Sequence, residues 1–335
     1  MSVPLRQSVR MAAYLAKQRL KRREKYPLLV ELEPLFACNL GCAGCGKIQF
    51  PAHILKQRMP VAQAVAAMEE SGAPMVSIAG GEPLIHPEVH VIARELVERR
   101  KFVYLCTNAL LMRKKMDLFE PSPYFAWAVH IDGLRERHDE SVCQEGVFDV
   151  AVDAIKEAKR RGFRVTTNST FFTHDTPKGI RDVLDFLNDE LEVDQMMISP
   201  AYAYWKAPDQ DHFLGVEQTR SLFREVFAGG ARKRWRLNHT PLFLDFLEGK
   251  VDFECTPWGI PSYSVFGWQR PCYLQADGYA ATYRELVETT DWSKYGRHSG
   301  NVQCRNCMAH CGYEPTAVLA TTHSLKESLR ALAHL

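Results

Sequence analysis

From residue 28 to residue 200, short apolar runs alternate with longer stretches in which apolar residues recur every three to four positions. This is the pattern of repeated strand–helix units, and such units build a parallel sheet in an α/β fold. The pattern predicts strands at 28–34, 75–79, 102–106, 125–131, 164–170 and 195–199. Helices near 60–71, 87–99, 109–119, 146–161 and 177–189 cover them, the first opened by Pro60 and closed near Gly72. Past Pro200 the alternation stops. Helices near 216–228 and 241–248 give way to a cysteine-bearing segment with little helical periodicity, rich in Trp, Pro and Gly. The chain therefore divides into a basic amphipathic segment (1–27), an α/β unit (28–200) and a cysteine-rich lobe (201–335).

With 335 residues, 46% of them apolar and 24% charged, the chain has the composition of a folded globular protein. No apolar run approaches the roughly 18 residues a membrane span needs, and the basic N-terminus lacks the apolar stretch of a signal peptide. The expected location is the cytoplasm, at most peripheral at the inner face of the membrane. The formal charge of +2 conceals +7 over residues 1–27 and thus −5 over the rest, which excludes nucleic acid as a partner of the main body. Leu5, Val9, Ala12, Ala16 and Leu20 fall at helical spacing among those basic residues. Two roles follow for such a helix: lying on an anionic membrane surface, or packing on the barrel with its charges in water.

Ten cysteines without an export signal argue for metal-bound thiolates, because the cytosol keeps thiols reduced. Cys38, Cys42 and Cys45 form a C-x3-C-x2-C run on the loop after the first strand. Three thiolates this close can grip one iron–sulfur cluster and leave one iron without a protein ligand; the alternative is structural zinc with a distant fourth ligand. After the second strand comes Gly80-Gly81-Glu82-Pro83, where adjacent glycines admit a ligand close to the backbone and a carboxylate can accept hydrogen bonds from an ammonium group. Cys106 ends the third strand on the face that Phe102 and Tyr104 share, and parallel barrels place their chemistry at that end. In the last quarter stand Cys255, Cys272, Cys304, Cys307 and Cys311.

These motifs together resemble the radical S-adenosylmethionine (AdoMet) superfamily over residues 28 to about 200. The resemblance implies a partial (βα)6 barrel, a [4Fe–4S] cluster on Cys38, Cys42 and Cys45, and AdoMet chelated to the open iron with its amino group on the Gly80-Gly81-Glu82 turn. It implies cleavage of AdoMet to a 5′-deoxyadenosyl radical, and an electron donor such as a flavodoxin or ferredoxin. His130 and Asn168, at the ends of the fourth and fifth strands, are expected AdoMet contacts. One departure stands out: the residue before the third cysteine is usually aromatic and near the adenine, and here it is Gly44. The C-terminal cysteines look like the auxiliary-cluster extensions of such barrels. One [4Fe–4S] cluster, zinc and plain thiols all stay open there, with Cys272, Cys304 and Cys307 the foremost ligands and Cys255 and Cys311 competing for the fourth place.

Residues 38–48, 104–110, 130–133, 267–274 and 311–318 further resemble the adenosylhopane synthase family of hopanoid biosynthesis. That resemblance implies an adenosyl transferase that adds the 5′-deoxyadenosyl radical to the alkene of diploptene, with AdoMet consumed and Cys106 quenching the product radical. Two rival functions are hydrogen abstraction from a peptide or small molecule and a non-catalytic metal-stabilised binding module. A triterpene substrate calls for an apolar tunnel. The expected lining is Trp127, Phe171, Phe172, Tyr202, Tyr204, Trp205, Phe243 and Phe266.

Overall fold

The computed structural model describes residues 4–204 and 206–332; Trp205, one of the expected tunnel residues, lies outside them. Six parallel strands form in chain order: β1 (Leu29–Glu33), β2 (Met75–Ile78), β3 (Phe102–Thr107), β4 (Phe125–His130), β5 (Arg164–Phe171) and β6 (Gln195–Pro200). They follow the predicted runs because each carries an apolar set on its outer face, such as Val30 and Leu32, Val76 and Ile78, and Trp127 and Val129, all fully buried under the helices. The result is a partial (βα)6 barrel.

Its helices start and stop where local chemistry dictates. Val61–Ser71 ends at Gly72, whose φ of +69° is the left-handed conformation a residue with a side chain resists. Pro177–Asp185 begins with Thr176 accepting the N–H of Gly179. The predicted helix at 109–119 shrinks to Met112–Lys115 and a single 3-10 turn, Met116–Leu118. There Ala109 has φ +68° and the Asn108 side chain accepts the N–H of Leu110, so local hydrogen bonding competes with the helix start.

The lobe after residue 200 is more regular than its sequence pattern suggests. Three strands, β7 (Ser262–Ser264), β8 (Gly267–Cys272) and β9 (Gln275–Ala280), extend the same sheet: β7 runs parallel to β1, and β8 and β9 fold back antiparallel. The strand order is therefore β6-β5-β4-β3-β2-β1-β7-β8-β9, one nine-stranded sheet across the expected boundary at residue 200. Helices Tyr283–Thr289, His310–His323 and Leu325–Leu332 follow. The N-terminal helix Leu5–Leu20 lies under the barrel. Its buried Gln7 donates from Nε2 to Tyr104 Oη (2.8 Å), on the inner face of β3, and Leu15 packs with Tyr26, Leu28 and Val318. Among the described residues no helix is long and apolar enough to cross a membrane.

Candidate functional site

One cavity of about 750 Å³ runs through the barrel. Cys38, Cys42, Cys45, Gly80, Gly81 and Glu82 line its upper end, at the C-terminal ends of the strands. Its lower end reaches Leu29 and Met75, the first residues of β1 and β2. At about 3.3 Å per residue, the four steps of β1 alone span about 13 Å. Cys106, His130 and Asn168 line the wall between, so the structure brings all the expected residues of the upper site into one space. Of the expected aromatic lining, Phe172, Tyr202 and Tyr204 face the cavity. Trp127, Phe171 and Phe243 do not: they sit in the core between sheet and helices, because their strand or helix positions point outward from the barrel. Phe266 packs instead on Phe36, Phe50 and Tyr279.

The cysteine loop is held by the strand ends around it. The Gly80-Gly81 turn lies so close that a Cβ on Gly81 would stand 2.1 Å from the carbonyl oxygen of Ala37. Asn108, just after β3, donates from Nδ2 to Asn39 Oδ1 (2.9 Å) and approaches Cys38 Sγ (3.8 Å). Burial pushes the Cys38 thiol up to about 11 and raises Cys42 and Cys45 as well. Three neighbouring half-buried thiols resist ionisation unless a cation compensates them, and iron does so. Among the described residues no three His, Cys, Asp or Glu groups converge enough to hold a single metal ion. The donor set of this loop suits a cluster, whose several irons spread their thiolates apart.

Glu82 is 1% exposed and well held. Its carboxylate accepts the N–H of Leu84 (2.9 Å), the hydroxyl of Thr107 (3.0 Å) and the N–H of Asn108 (2.8 Å). Burial still raises it to about 7, with those three hydrogen bonds opposing. His130 Nε2 lies 2.8 Å from Asp132 Oδ2. Burial would lower the imidazole, but the Asp132 carboxylate outweighs it and the pKa rises. Asp132 in turn accepts from Ser141 and from the N–H of Thr170, fixing the imidazole at the cavity wall. Asn168 presents a buried Oδ1 with no hydrogen-bond partner among the described residues.

The absent aromatic at Gly44 has a structural counterpart. A Cβ on Gly44 would stand 2.8 Å from Cε1 of Phe172, so a ring from the end of β5 already occupies the space beside residue 44. Phe172 stacks with His174 and abuts Phe213.

Several charged residues of this site carry no sequence motif. Lys47, two residues beyond Cys45, pairs with Glu33 of β1 at 2.5 Å, both side chains almost completely buried. Burial would lower the ammonium's pKa, but Glu33 outweighs it and the pKa rises. The Lys47 ammonium also stands over the rings of Tyr273, Tyr204 and Phe36 at 4.2, 5.3 and 5.4 Å. Glu31, two residues earlier on the same strand face, lines the cavity; burial first, and then the Glu33 charge, push its carboxyl up to about 8. A signal was present: two glutamates spaced by two in the strand Leu29-Val30-Glu31-Leu32-Glu33 must share one face.

Cys106 Sγ lies 3.3 Å from Ser77 Oγ on the neighbouring strand. Burial and then the Glu31 carboxyl push its thiol up to about 12, which keeps the S–H bond intact at neutral pH. In the C-terminal lobe burial first, and then the neighbouring Cys307, Cys272, Cys311 and Cys304, push the Cys255 thiol well up, so the five cysteines gather in one region. Gln275 Nε2 donates to Cys304 Sγ at 3.0 Å, and Cys311 reaches the main cavity. The ten cysteines form no disulfide.

Residues 32–187 match the radical SAM superfamily, and residues 196–331 match a domain of unknown function (DUF3463). A GTP 3′,8-cyclase of Listeria welshimeri is 24% identical over 180 residues, 50% of this chain and 54% of the cyclase. A pre-heme d1 synthase of Dinoroseobacter shibae is 25% identical over 170 residues, 48% of this chain and 40% of the synthase. The chain thus spans about half the length of these curated relatives. Streptococcus suis SuiB shares the fold with a TM-score of 0.66 at 16% identity, covering 94% of this chain and 78% of SuiB. Native anSMEcpe, solved with bound AdoMet and a peptide, has a TM-score of 0.54 at 16% identity, over 88% of this chain and 95% of its own.

Proposed function

From the match of residues 32–187 to the radical SAM superfamily, we propose that this protein is an enzyme that joins the adenosyl group of AdoMet to the alkene of diploptene, forming adenosylhopane in hopanoid biosynthesis. The observation that carries the reading is the cavity: it joins the cysteine loop to the floor of the barrel past Leu28, Leu29, Met75, Ala128 and Ile260. A wall of this kind suits a long hydrocarbon, and the stretches resembling adenosylhopane synthases include its cysteine loop and Cys106.

Cys38, Cys42 and Cys45 hold the [4Fe–4S] cluster in this reading, and Glu82, Gly80, Gly81, His130 and Asn168 hold AdoMet, a substrate here. When bound, the cluster supplies the electron that splits AdoMet into methionine and a 5′-deoxyadenosyl radical. The carboxylate of Glu82, fixed by Thr107 and Asn108, accepts from the methionine ammonium. Phe172 gives the adenine the aromatic neighbour that Gly44 cannot. Cys272, Cys304 and Cys307 hold one auxiliary cluster, with Cys255 or Cys311 as its fourth ligand; Cys311 also lines the cavity.

Addition of the adenosyl C5′ to the exocyclic alkene carbon turns the π bond into a C–C bond and leaves a tertiary carbon radical. Cys106 completes the reaction: its S–H bond is weaker than the tertiary C–H bond formed, so hydrogen-atom transfer runs downhill. The thiyl radical left on Cys106 takes an electron from a flavodoxin or ferredoxin and a proton, which restores the thiol. Glu31, protonated by its burial, faces the same space and lies within electrostatic reach of that sulfur. The test is anaerobic turnover of Cys106→Ala with AdoMet, a reductant and diploptene, followed by mass spectrometry. AdoMet cleavage should persist while adenosylhopane falls and diverted adduct appears. An unchanged adenosylhopane yield would make Cys106 a packed thiol, and free 5′-deoxyadenosine as the sole adenosine product would sink the addition itself.

A further inference from the structure

The cavity has a second end. At the floor of the barrel it passes between two helices, lined by Ser8 and Ala12 of Leu5–Leu20 on one side and by Thr322 and Ser328 on the other, the last in Leu325–Leu332. Ala12 is exposed and lines the cavity, so the interior meets the surface here. Beside the mouth, both helices carry large apolar side chains in water. Leu5 and Val9 are 66% and 60% exposed, and Leu325 and Leu329 are 80% and 58% exposed. Each pair occupies the positions three before and one after a cavity-lining serine, Ser8 or Ser328, so each apolar edge runs beside the mouth. A protein surface rarely leaves two such apolar edges exposed on either side of an opening.

The charge around them names the partner. Lys17, Lys21, Arg22 and Arg23 are exposed, and among the described residues none of them forms a salt bridge; Arg6, also exposed, stands over the ring of Tyr124 at 5.6 Å. Arg19 is spent on the carbonyl oxygen of Thr322, which pins the two sides of the mouth together. Free cations flanking exposed leucines are the surface an anionic bilayer recognises, by counter-charge and by burial of the apolar edge in the interface.

We propose that this mouth docks on an anionic lipid bilayer, with Leu325–Leu332 as one of its two contact edges, and that apolar substrate enters the barrel from the membrane through it. Only the entry of substrate rests on the triterpene reading; the docking does not. The test uses the full-length protein and phosphatidylglycerol vesicles, with sedimentation as the readout. Parent protein should bind these vesicles and release them in high salt. Leu325→Glu/Leu329→Glu and Leu5→Glu/Val9→Glu should each weaken binding at least ten-fold. Leu118→Glu, which removes an exposed leucine elsewhere, should bind as the parent does. Circular dichroism and the melting temperature verify that each variant is folded. Ala12→Trp should bind vesicles at least as well as the parent, since tryptophan favours the interface, yet slow the transfer of diphenylhexatriene from vesicles into the protein.

Equal vesicle binding by the Leu325→Glu/Leu329→Glu variant would overturn the proposal, as would unchanged probe transfer by Ala12→Trp. Absence of vesicle binding, with self-association of the parent relieved by these substitutions, would assign the patch to a second copy of the chain and refute it too. Docking and probe transfer as expected, without turnover of diploptene, would sink the substrate reading and leave the mouth standing.

Discussion

Replacing Lys47 by Met isolates the buried pair behind the cysteine loop. Glu33 is 0% exposed, and among the described residues its carboxylate makes no hydrogen bond beyond its ion pair with Lys47. Methionine keeps the length and apolar stem of the lysine and deletes the ammonium, so an unpaired carboxylate is left in the interior. Removing one partner of such a pair costs about 3–5 kcal/mol. Taking up a proton limits that loss, since protonating an ordinary carboxyl at pH 7 costs about 3.7 kcal/mol. Losing the cation over Tyr273, Tyr204 and Phe36 adds on the order of 1 kcal/mol. The expected total is about 4–5 kcal/mol at pH 7. Because the escape route is protonation, the penalty shrinks as pH falls, to about 2 kcal/mol at pH 5. Urea unfolding followed by circular dichroism at both pH values measures it. The double variant Glu33→Gln/Lys47→Met removes both charges and should recover most of the loss. A Lys47→Met penalty under about 1 kcal/mol at pH 7 would refute the reasoning, and so would a double variant no better than the single one.

Three further outcomes are expected. Changing Cys38, Cys42 and Cys45 together to Ala should abolish AdoMet cleavage yet leave about four irons per chain in the C-terminal lobe; retained cleavage would reject the first cluster's ligands, and iron-free protein would reject the second. Phe172→Ala should weaken AdoMet binding by about three- to ten-fold in anaerobic calorimetry, the worth of one aromatic contact, whereas unchanged affinity would remove Phe172 from the adenine site. Glu31 holds its proton more tightly folded than unfolded, so its effect on stability is least unfavourable at low pH and worsens as pH rises from 4.5 to about 8. Glu31→Gln should therefore match the parent near pH 4 and exceed it by about 1–3 kcal/mol at pH 8, and parallel melting-temperature profiles across that range would contradict the burial argument.

The strands and most helices of the barrel were legible in the chain itself, because strand and helix periods are carried by residues a few positions apart. The same holds for the three-cysteine loop and the Gly80-Gly81-Glu82 turn, where neighbours in sequence supply the chemistry together. The short helix at Met112–Lys115 escaped because the hydrogen bond that Leu110 N–H donates to the Asn108 side chain and the left-handed Ala109 outcompete helix propensity, and neither shows in a period. The strands β7–β9 escaped because the three residues of β7 are too few to show alternation; they are strand by virtue of the β1 edge they meet.

Features that two distant segments make together appear only in the folded chain. Position in a strand does not say which aromatic faces inward, so Trp127 and Phe171 went to the core while Phe172 filled the space left by Gly44. Lys47 had no motif until β1 placed Glu33 beside it, and Glu31 became a raised acid only once folding buried it beside Glu33. The N-terminal helix read as amphipathic, but its partner at the cavity mouth lies more than three hundred residues away in the chain, at Thr322 and Ser328. Local patterns fix elements because backbone geometry repeats over a few residues; sites form from side chains brought together by packing, which no short window of sequence contains.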